Sequence, residues 1–249
     1  MGIFEDSLKA FRSGNTGLAE ELALELLGES LEEDDEDGDA GHRAGRVDAL
    51  CMLARVALRR GDFFKVSSLA DDAWGVSLGA VGRREEAMLK RMPIHLMAVA
   101  ARMRGEYADA RLLYLESINL NRELGEDRML AAEHRNLAYV ELHDGHLARA
   151  RELFVSAAAL ARASNSSTLE PLLLLDAAVL AFEDGDRAGA AKLVADARAA
   201  LYSTGQIPDP DDAAELEALQ SRLLELGASR SARLRAGPLA GRRARSRRG

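Results

Sequence analysis

The chain is poor in the residues that mark secreted, membrane-spanning and all-β proteins. Its 249 residues include one cysteine, so a disulfide framework within the chain is impossible. No apolar run reaches the roughly 18 residues that suggest a membrane-spanning helix. Aromatic residues make up 4% of the chain, proline occupies only five positions, and no segment shows strand-like alternation. These absences exclude a disulfide-rich secreted scaffold and disfavour a β-sandwich or β-barrel.

The N-terminus also lacks the features of a secretory signal. Residues 1–6 contain two acids and no basic residue, and no long apolar segment follows them. We therefore expect a cytoplasmic protein. Lysine occurs at only four positions, whereas arginine, alanine and glycine are abundant. We interpret this composition as the codon bias of a GC-rich bacterial genome, not as a sign of function.

What the chain does contain is a pattern that recurs every 40 residues. Glycines at 105, 145 and 185 each have a small residue seven positions earlier, an alanine five positions later and usually a large residue nine positions later. The three copies contain Ala98, Ala110 and Tyr114, then Ala138, Ala150 and Phe154, then Ala178, Ala190 and Val194. Two degenerate copies, at Gly14 and Gly61, give glycine spacings of 47, 44, 40 and 40. A fixed period of about 20–50 residues is typical of a solenoid.

Each copy predicts two packed helices. The glycine ends the first helix because it takes a left-handed conformation without a Cβ penalty, and the alanines let the second helix lie close to the first. The pattern resembles the tetratricopeptide repeat (TPR) in the segment Asn136-Leu137-Ala138 and in Gly145, Ala150, Phe154 and Ala157. It departs from that repeat where Ile94, His134 and Leu174 replace tryptophan, in lacking the terminal proline, and in its period of 40 instead of about 34. With the turn at residues 124–127, these departures are similar to the long repeats of large bacterial LuxR-type regulators.

The resemblance covers residues 2–203 and implies an all-α, right-handed α-solenoid of about five TPR-like helix pairs plus a C-terminal capping helix. We predict helices near 3–13, 17–28, 45–60, 63–80, 83–104, 107–124, 127–143, 147–164, 168–184, 187–203 and 210–227. Pro93 should mark either the start of the fifth helix or a kink in it. The alternative fold is an irregular helical bundle with alanine-rich faces.

Two charged segments interrupt the repeats. Residues 29–39 carry eight acids, and residues 228–249 carry eight arginines and no acid. We predict a repeat domain over 1–227, with an acidic disordered loop at about 29–44 and a capping helix at about 210–227, followed by a disordered arginine-rich tail over 228–249. Without the tail's eight positive charges, the net charge of −8 becomes −16. Because such a body repels a phosphate backbone, nucleic acid is an unfavourable partner despite the tail.

No motif for catalysis, cofactor binding or metal binding stands out. The acidic run lacks the glutamate that ends a calcium loop, since Ala44 stands at its twelfth position. His143 and His146 flank the turn at Gly145, and we favour exposed turn residues over a weak surface metal site. Cys51 has no histidine at a fixed spacing, so we interpret it as a buried core thiol. We therefore predict a non-enzymatic protein with no cofactor and no metal site.

The resemblance to TPR proteins also implies a concave groove lined by the first helix of each pair. The groove residues that we predict to bind a partner are Arg55, Arg59, His95, Arg102, Arg135, Tyr139 and Leu142. Because arginine suits bidentate recognition of carboxylates, we expect a protein or peptide partner that offers an acidic segment, and no membrane. The alternative is that these arginines pair with acids of neighbouring helices.

Two functions follow from these patterns. The leading hypothesis is a protein–protein interaction module, an adaptor or scaffold that binds a partner segment in its groove. The alternative is a regulatory sensor solenoid that binds a peptide or small ligand and modulates a transcription regulator. An enzyme is least expected, because an open solenoid rarely forms a closed pocket with converging polar groups.

Overall fold

The computed structural model describes residues 2–32, 40–80, 82–205 and 207–235. Within these ranges it contains eleven α-helices, a 3-10 turn at Ser167–Leu169 and no strand. The helices are α1 (Ile3–Arg12), α2 (Thr16–Glu32), α3 (Ala40–Arg59), α4 (Phe63–Ser77), α5 (Arg83–Met103), α6 (Tyr107–Leu124), α7 (Asp127–His143), α8 (Leu147–Ala163), α9 (Glu170–Glu183), α10 (Arg187–Thr204) and α11 (Pro210–Arg235). The first ten form five consecutive pairs, and we call the first member of each pair an A helix and the second a B helix. The predicted all-α repeat solenoid is confirmed.

The five glycines that follow the A helices all have left-handed backbone conformations. Their φ angles are +82°, +74°, +78°, +85° and +83° in chain order from Gly14 to Gly185. At Gly105, the glycine N–H donates to the carbonyl of Arg102 at 2.9 Å, and the N–H of Glu106 donates to the carbonyl of Ala101 at 2.9 Å. These bonds satisfy carbonyls that a helix end leaves without partners, and they reverse the chain in two residues. The predicted role of the glycines is confirmed.

The alanines of the repeat are the points of closest packing between helices. Six of them are fully buried at 0% exposure, namely Ala98, Ala138 and Ala178 in A helices and Ala110, Ala150 and Ala190 in B helices. The large residues of the pattern, Tyr114, Phe154 and Val194, are 0%, 3% and 5% exposed. Small side chains on facing helices let the backbones approach, and the large residue fills the space that remains.

The core is a chain of clusters and has no single centre. One cluster joins α1, α2 and α3, a second joins α3 through α7, and a third joins α7 through α11. This succession is typical of a solenoid, in which each pair packs only on its neighbours. Cys51 is buried in the second cluster, which confirms its interpretation as a core thiol. In the described part of the chain, no helix is long and apolar enough to cross a membrane.

Four predicted helix ends differ from the structure by three or more residues, including that of α4, which ends at Ser77 instead of near 80. Helix α2 continues to Glu32 and α3 begins at Ala40, so the loop predicted at 29–44 is shorter at both ends, and residues 33–39 lie outside the described residues. Helix α11 continues to Arg235, so the first eight residues of the predicted tail are helical, while 236–249 lie outside the described residues. Alanine, leucine and arginine, which fill much of 228–235, are good helix formers, and positive charge at a helix C-terminus is favourable. Helix α5 begins at Arg83, as predicted, and it runs through Pro93, so Pro93 does not mark its start.

Candidate functional site

The chain that follows α10 runs back over the A helices. Gly205 ends α10 in a left-handed conformation with φ of +64°. Two residues later, Cδ1 of Ile207 lies 2.8 Å from the position that a Cβ on Gly14 would occupy. Asp209 then lies 3.7 Å from Arg59 of α3. Residues 207–215, which we call the acidic strap, therefore start beside the turn of the first pair.

The strap contacts four of the five pairs. After the first pair and Arg59 of the second, it reaches Arg102 of α5 in the third pair and Arg135 of α7 in the fourth. Nine residues that begin a helix span only about 15–20 Å. The A-helix surfaces that touch the strap must therefore converge around it, and we call them the inner face.

Arg102 anchors the strap from the end of α5. Its Nη2 donates to Asp211 Oδ2 at 2.5 Å, and its Nη1 donates to Glu215 Oε1 at 2.8 Å. Its side chain is 2% exposed. Burial disfavours the charged guanidinium, but Tyr114, Asp211 and Glu215 outweigh this effect, and the pKa of Arg102 is raised. Arg102 is thus a buried cation whose two closest carboxylates both belong to α11.

Arg135 has the same role in the next pair along the chain. Its Nε donates to Asp176 Oδ1 of α9 at 2.9 Å, and its Nη1 donates to Asp212 of the strap. The hydroxyl of Tyr139 donates to the same Asp176 oxygen at 2.9 Å. The Tyr139 ring is fully buried, with the guanidinium carbons of Arg102 and Arg135 at 5.5 Å and 5.2 Å from its centre. Cation–π attraction therefore supplements the ion pairs.

Burial raises the pKa values of two carboxylates in this network. Burial raises the pKa of Asp176 to about 7, although Arg135 and the Tyr139 hydroxyl act in the opposite direction. Burial also raises the pKa of Asp212 to about 6, against the attraction of Arg135. Four acids, Asp176, Asp211, Asp212 and Glu215, surround the two buried arginines, and the neighbouring carboxylates add to the rise in the pKa values of Asp176 and Asp212.

The strap does not use all the cationic groups of the inner face. Arg59 lies over the ring of Phe11 at 4.0 Å, and its buried Nε has no acceptor among the described residues. Nη2 of Arg135 likewise has no acceptor there. The Nη2 of Arg55 contacts the sulfur of Met92 at 3.3 Å, and no described carboxylate lies within ion-pair distance of it. The row of arginines therefore extends beyond the carboxylates that the strap supplies.

His95 and Leu142 have separate environments. His95 Nδ1 lies 2.9 Å from Glu133 Oε1, which also accepts a hydrogen bond from the Ser117 hydroxyl at 2.9 Å. Burial by itself would lower the pKa of His95, but the Glu133 carboxylate outweighs it and the pKa is raised. Leu142 is half-buried against the cluster that joins α7 through α11. The Glu133 carboxylate thus holds His95 within the solenoid, and Leu142 packs at the edge of the apolar core.

The two turn histidines also have carboxylate neighbours. His143 Nε2 lies 2.8 Å from Glu215, and His146 Nδ1 lies 2.9 Å from Glu141. In the ranges that the structure describes, no group of three or more histidine, cysteine, aspartate or glutamate side chains is arranged to hold a metal ion. The His143 side chain also stacks on Tyr107 with ring centres 5.8 Å apart, so it helps to close the site around the strap.

The structure places all seven predicted groove residues on A helices, but it does not leave them in an open groove. The expectation of an open groove is wrong for Arg102, Arg135 and Tyr139, which are 4%, 2% and 0% exposed because the strap and α9 cover them. Arg59, Arg102 and Arg135 pair with acids of the same chain, as in the alternative, whereas Arg55 has no described carboxylate within ion-pair distance. Partner binding by these residues stays a prediction.

The acids that complete the site were not among the residues predicted from the sequence. These are Asp176 on α9 and Asp211, Asp212 and Glu215 on α11. The three aspartates at 209, 211 and 212 were a visible signal beside a prediction of inward-facing arginines. The capping helix predicted at about 210–227 contains Asp211 and Asp212, but the prediction did not place them beside the arginines.

Comparisons with known proteins concern the fold alone. No protein-family profile matches the sequence, and no curated protein matches it. Solved structures do match. BtubC (BKLC) from P. vanneervenii is 19% identical, with a TM-score of 0.59 over 91% of this chain and 93% of that one. A putative kinesin light chain of Podosopora anserina with nearly identical TPR-like repeats is 18% identical, with a TM-score of 0.55 over 82% of this chain and 94% of that one.

Two Rap proteins match as well. The apo form of RapI is 14% identical, with a TM-score of 0.61 over 92% of this chain and 82% of that one. A Rap protein complexed with Competence and Sporulation Factor is 15% identical, with a TM-score of 0.63 over 89% of this chain and 56% of that one. At these identities the likeness establishes the fold. The chain is a TPR-like repeat protein in its architecture, as the sequence pattern predicted.

Proposed function

We propose that this chain is a non-enzymatic protein–protein interaction module that holds a segment of a partner on its inner face. The observation that carries the proposal is the strap itself. A short, irregular-to-helical segment lies across the A helices of several pairs and is bound by Arg59, Arg102 and Arg135. A surface that binds one such segment within the chain has the shape and charge to bind a similar segment from another protein.

Two further observations support this function. A Rap protein of similar fold was solved in complex with Competence and Sporulation Factor, so this architecture can hold a bound factor. In this chain, the buried Arg102, Arg135 and Asp176 are each engaged in ion pairs or hydrogen bonds. Ion-pair networks of this kind perturb pKa values for structural reasons, so the perturbed groups do not by themselves call for a catalytic role.

Site-specific photo-crosslinking in the organism that makes the protein tests the proposal. A benzophenone amino acid replaces Met92, which is half-buried beside Arg55 and next to the region of the inner face that the strap leaves unpaired. The matched control replaces Leu112, which is 66% exposed on the B helix α6. We expect a discrete crosslinked partner at position 92 and none at 112. Equal crosslinking at both positions, or none at 92, would contradict the proposal.

The sensor alternative is favoured by the same strap, for a different reason. The strap leads into α11 and forms its first turns, and Leu219 of that helix is 3% exposed in the third cluster. A ligand that enters the inner face would therefore shift a long helix and transmit its presence to the end of the solenoid. Once a ligand is identified, hydrogen exchange of α11 distinguishes the two functions. A sensor loses amide protection in α11 beyond residue 215, where Leu216, Leu219 and Leu223 hold the helix on the third cluster, whereas an adaptor loses protection only in the strap.

A further inference from the structure

We propose that the inner face recognises the start of an acidic helix, with carboxylates at the spacing of Asp211, Asp212 and Glu215, and that a partner protein carrying such a segment replaces the strap. This inference rests on the proposed function and names the chemistry of the partner. The three carboxylates are held by Arg102 and Arg135, on two different A helices.

The spacing of these carboxylates requires a helix. Asp211 and Glu215 are four residues apart, so they lie on the same face of α11, one turn apart, and Arg102 bonds both. Asp212 is rotated by about 100° from Asp211 and reaches Arg135. An extended peptide would place residues four apart about 13 Å from each other, too far for a single guanidinium. Pro210 at the first helical position starts this geometry.

The strap is held mainly by polar contacts. Ile207 is 47% exposed, and the side chain of Asp209 is 56% exposed. The apolar residues of α11 that pack on the third cluster, Leu216, Leu219 and Leu223, all lie after the strap. Polar contacts exchange for equivalent contacts with little net change in free energy, whereas apolar burial would be lost. The strap is therefore the segment that a competing acidic helix can replace.

Arg55 and Arg59 are incompletely paired, and this favours binding of a partner over binding of the strap. Arg55 has no described carboxylate within ion-pair distance, and the buried Nε of Arg59 has no described acceptor. Both lie on α3, where the strap supplies only the exposed carboxylate of Asp209, at 3.7 Å from Arg59. A partner with one or two acids just before its helix would pair with both arginines. The partner is thus an acidic segment longer than the strap, with its extra charge on the N-terminal side.

A peptide-exchange experiment on the full-length chain tests this inference. The probe is a fluorescent synthetic peptide with the native sequence of residues 207–225, and its matched control carries amides in place of the carboxylates at 209, 211, 212 and 215. The hosts are the wild-type chain, a strap-neutral variant with Asp211→Asn, Asp212→Asn and Glu215→Gln, and the control variant Glu217→Gln. Glu217 is an exposed acid on the same helix.

We expect the strap-neutral variant to bind the native peptide at least tenfold more tightly than the wild-type chain does. The amide peptide should bind neither host, and Glu217→Gln should behave as wild type. A folded strap-neutral variant that does not bind the native peptide, or that binds both peptides equally, would overturn the inference. If circular dichroism shows that this variant is unfolded, a protease site inserted between Gly205 and Pro208 replaces it. After cleavage, the labelled native peptide should exchange with α11 while the helical signal of the body persists, and loss of that signal would overturn the inference.

Light scattering tests whether the inner face is instead occupied by a second copy of the chain. A mass of two chains that falls to one when the native peptide is added would assign the inner face to self-association and overturn the inference of a different partner. The outcomes also separate the two proposals. Crosslinking at position 92 without peptide exchange would refute only the acidic-helix chemistry. Exchange without any crosslinked partner would refute the proposed function.

Discussion

Replacement of Arg102 by methionine should cost the protein much of its stability. Methionine keeps most of the side-chain length and removes the charge, so Asp211 and Glu215 lose their cation while they remain 6% and 12% exposed. Breaking a buried ion pair by removing one partner typically costs about 3–5 kcal/mol, because an uncompensated charge stays buried. The total free energy of unfolding of a domain is only about 5–15 kcal/mol.

The size of the effect can be read from the unfolding midpoint. For a chain of this length, each kcal/mol shifts Tm by about 2–4 °C, so we expect a decrease of about 6–20 °C. Urea unfolding followed by circular dichroism at 222 nm measures the same change as a free energy. The control is Arg83→Ala, which removes an ion pair with Glu123 from a side chain that is 84% exposed. Its midpoint should stay close to that of wild type, because surface pairs contribute little.

A double-mutant cycle identifies the origin of the loss. In Arg102→Met with Asp211→Asn, the buried charge at 211 is gone as well, and Glu215 retains His143 at 2.8 Å. The double variant should therefore lose less than the sum of the single variants, by about 0.5–3 kcal/mol. If Arg102→Met is no less stable than Arg83→Ala, the strap is not held by this cation. Strict additivity in the cycle would refute the pairing with Asp211.

Three other predictions follow from the structure. Gly145→Ala should lower the free energy of unfolding by about 1 kcal/mol, because Gly145 has a φ of +85° and nothing contacts the Cβ position. Gly75→Ala should raise it by about 0.5–1 kcal/mol, because Gly75 lies inside α4 with open space around the Cβ position. Urea unfolding of both variants tests the contrast. Asp176 has a folded-state pKa of about 7, above the unfolded value of about 3.9, so its contribution to stability is lost as pH rises through this range. The stability difference between wild type and Asp176→Asn should therefore move in favour of the variant from pH 5 to pH 8, and a difference that is constant with pH would contradict the assignment. Cys51 is 4% exposed, and burial raises the pKa of its thiol. Alkylation of this thiol should therefore be slow in the native protein and should accelerate with urea in step with unfolding. Rapid labelling in native buffer would show that α3 is not packed as described.

Much of the architecture could be predicted because it depends on local patterns. The turn glycines need a left-handed φ, and the buried alanines need a helix neighbour at close range, so both leave a mark at a fixed spacing in each repeat. The bounds of α5 through α10 are within two residues of the predicted ones for this reason. The ends of α2, α3 and α11 were less well predicted, because charge runs were interpreted as disorder although their residues can form helix.

The sequence alone therefore determined the repeat, the turns and the assignment of arginines to A helices. Only the tertiary structure decided what those arginines face. Arg102 bonds residues 109 and 113 positions away, and Arg135 bonds one that is 77 positions away. Contacts at such separations depend on how strongly the pairs curve and on the path that the chain takes after Gly205, and no short-range pattern records either quantity. The acidic strap was visible as composition, but its position on the inner face is a property of the folded solenoid.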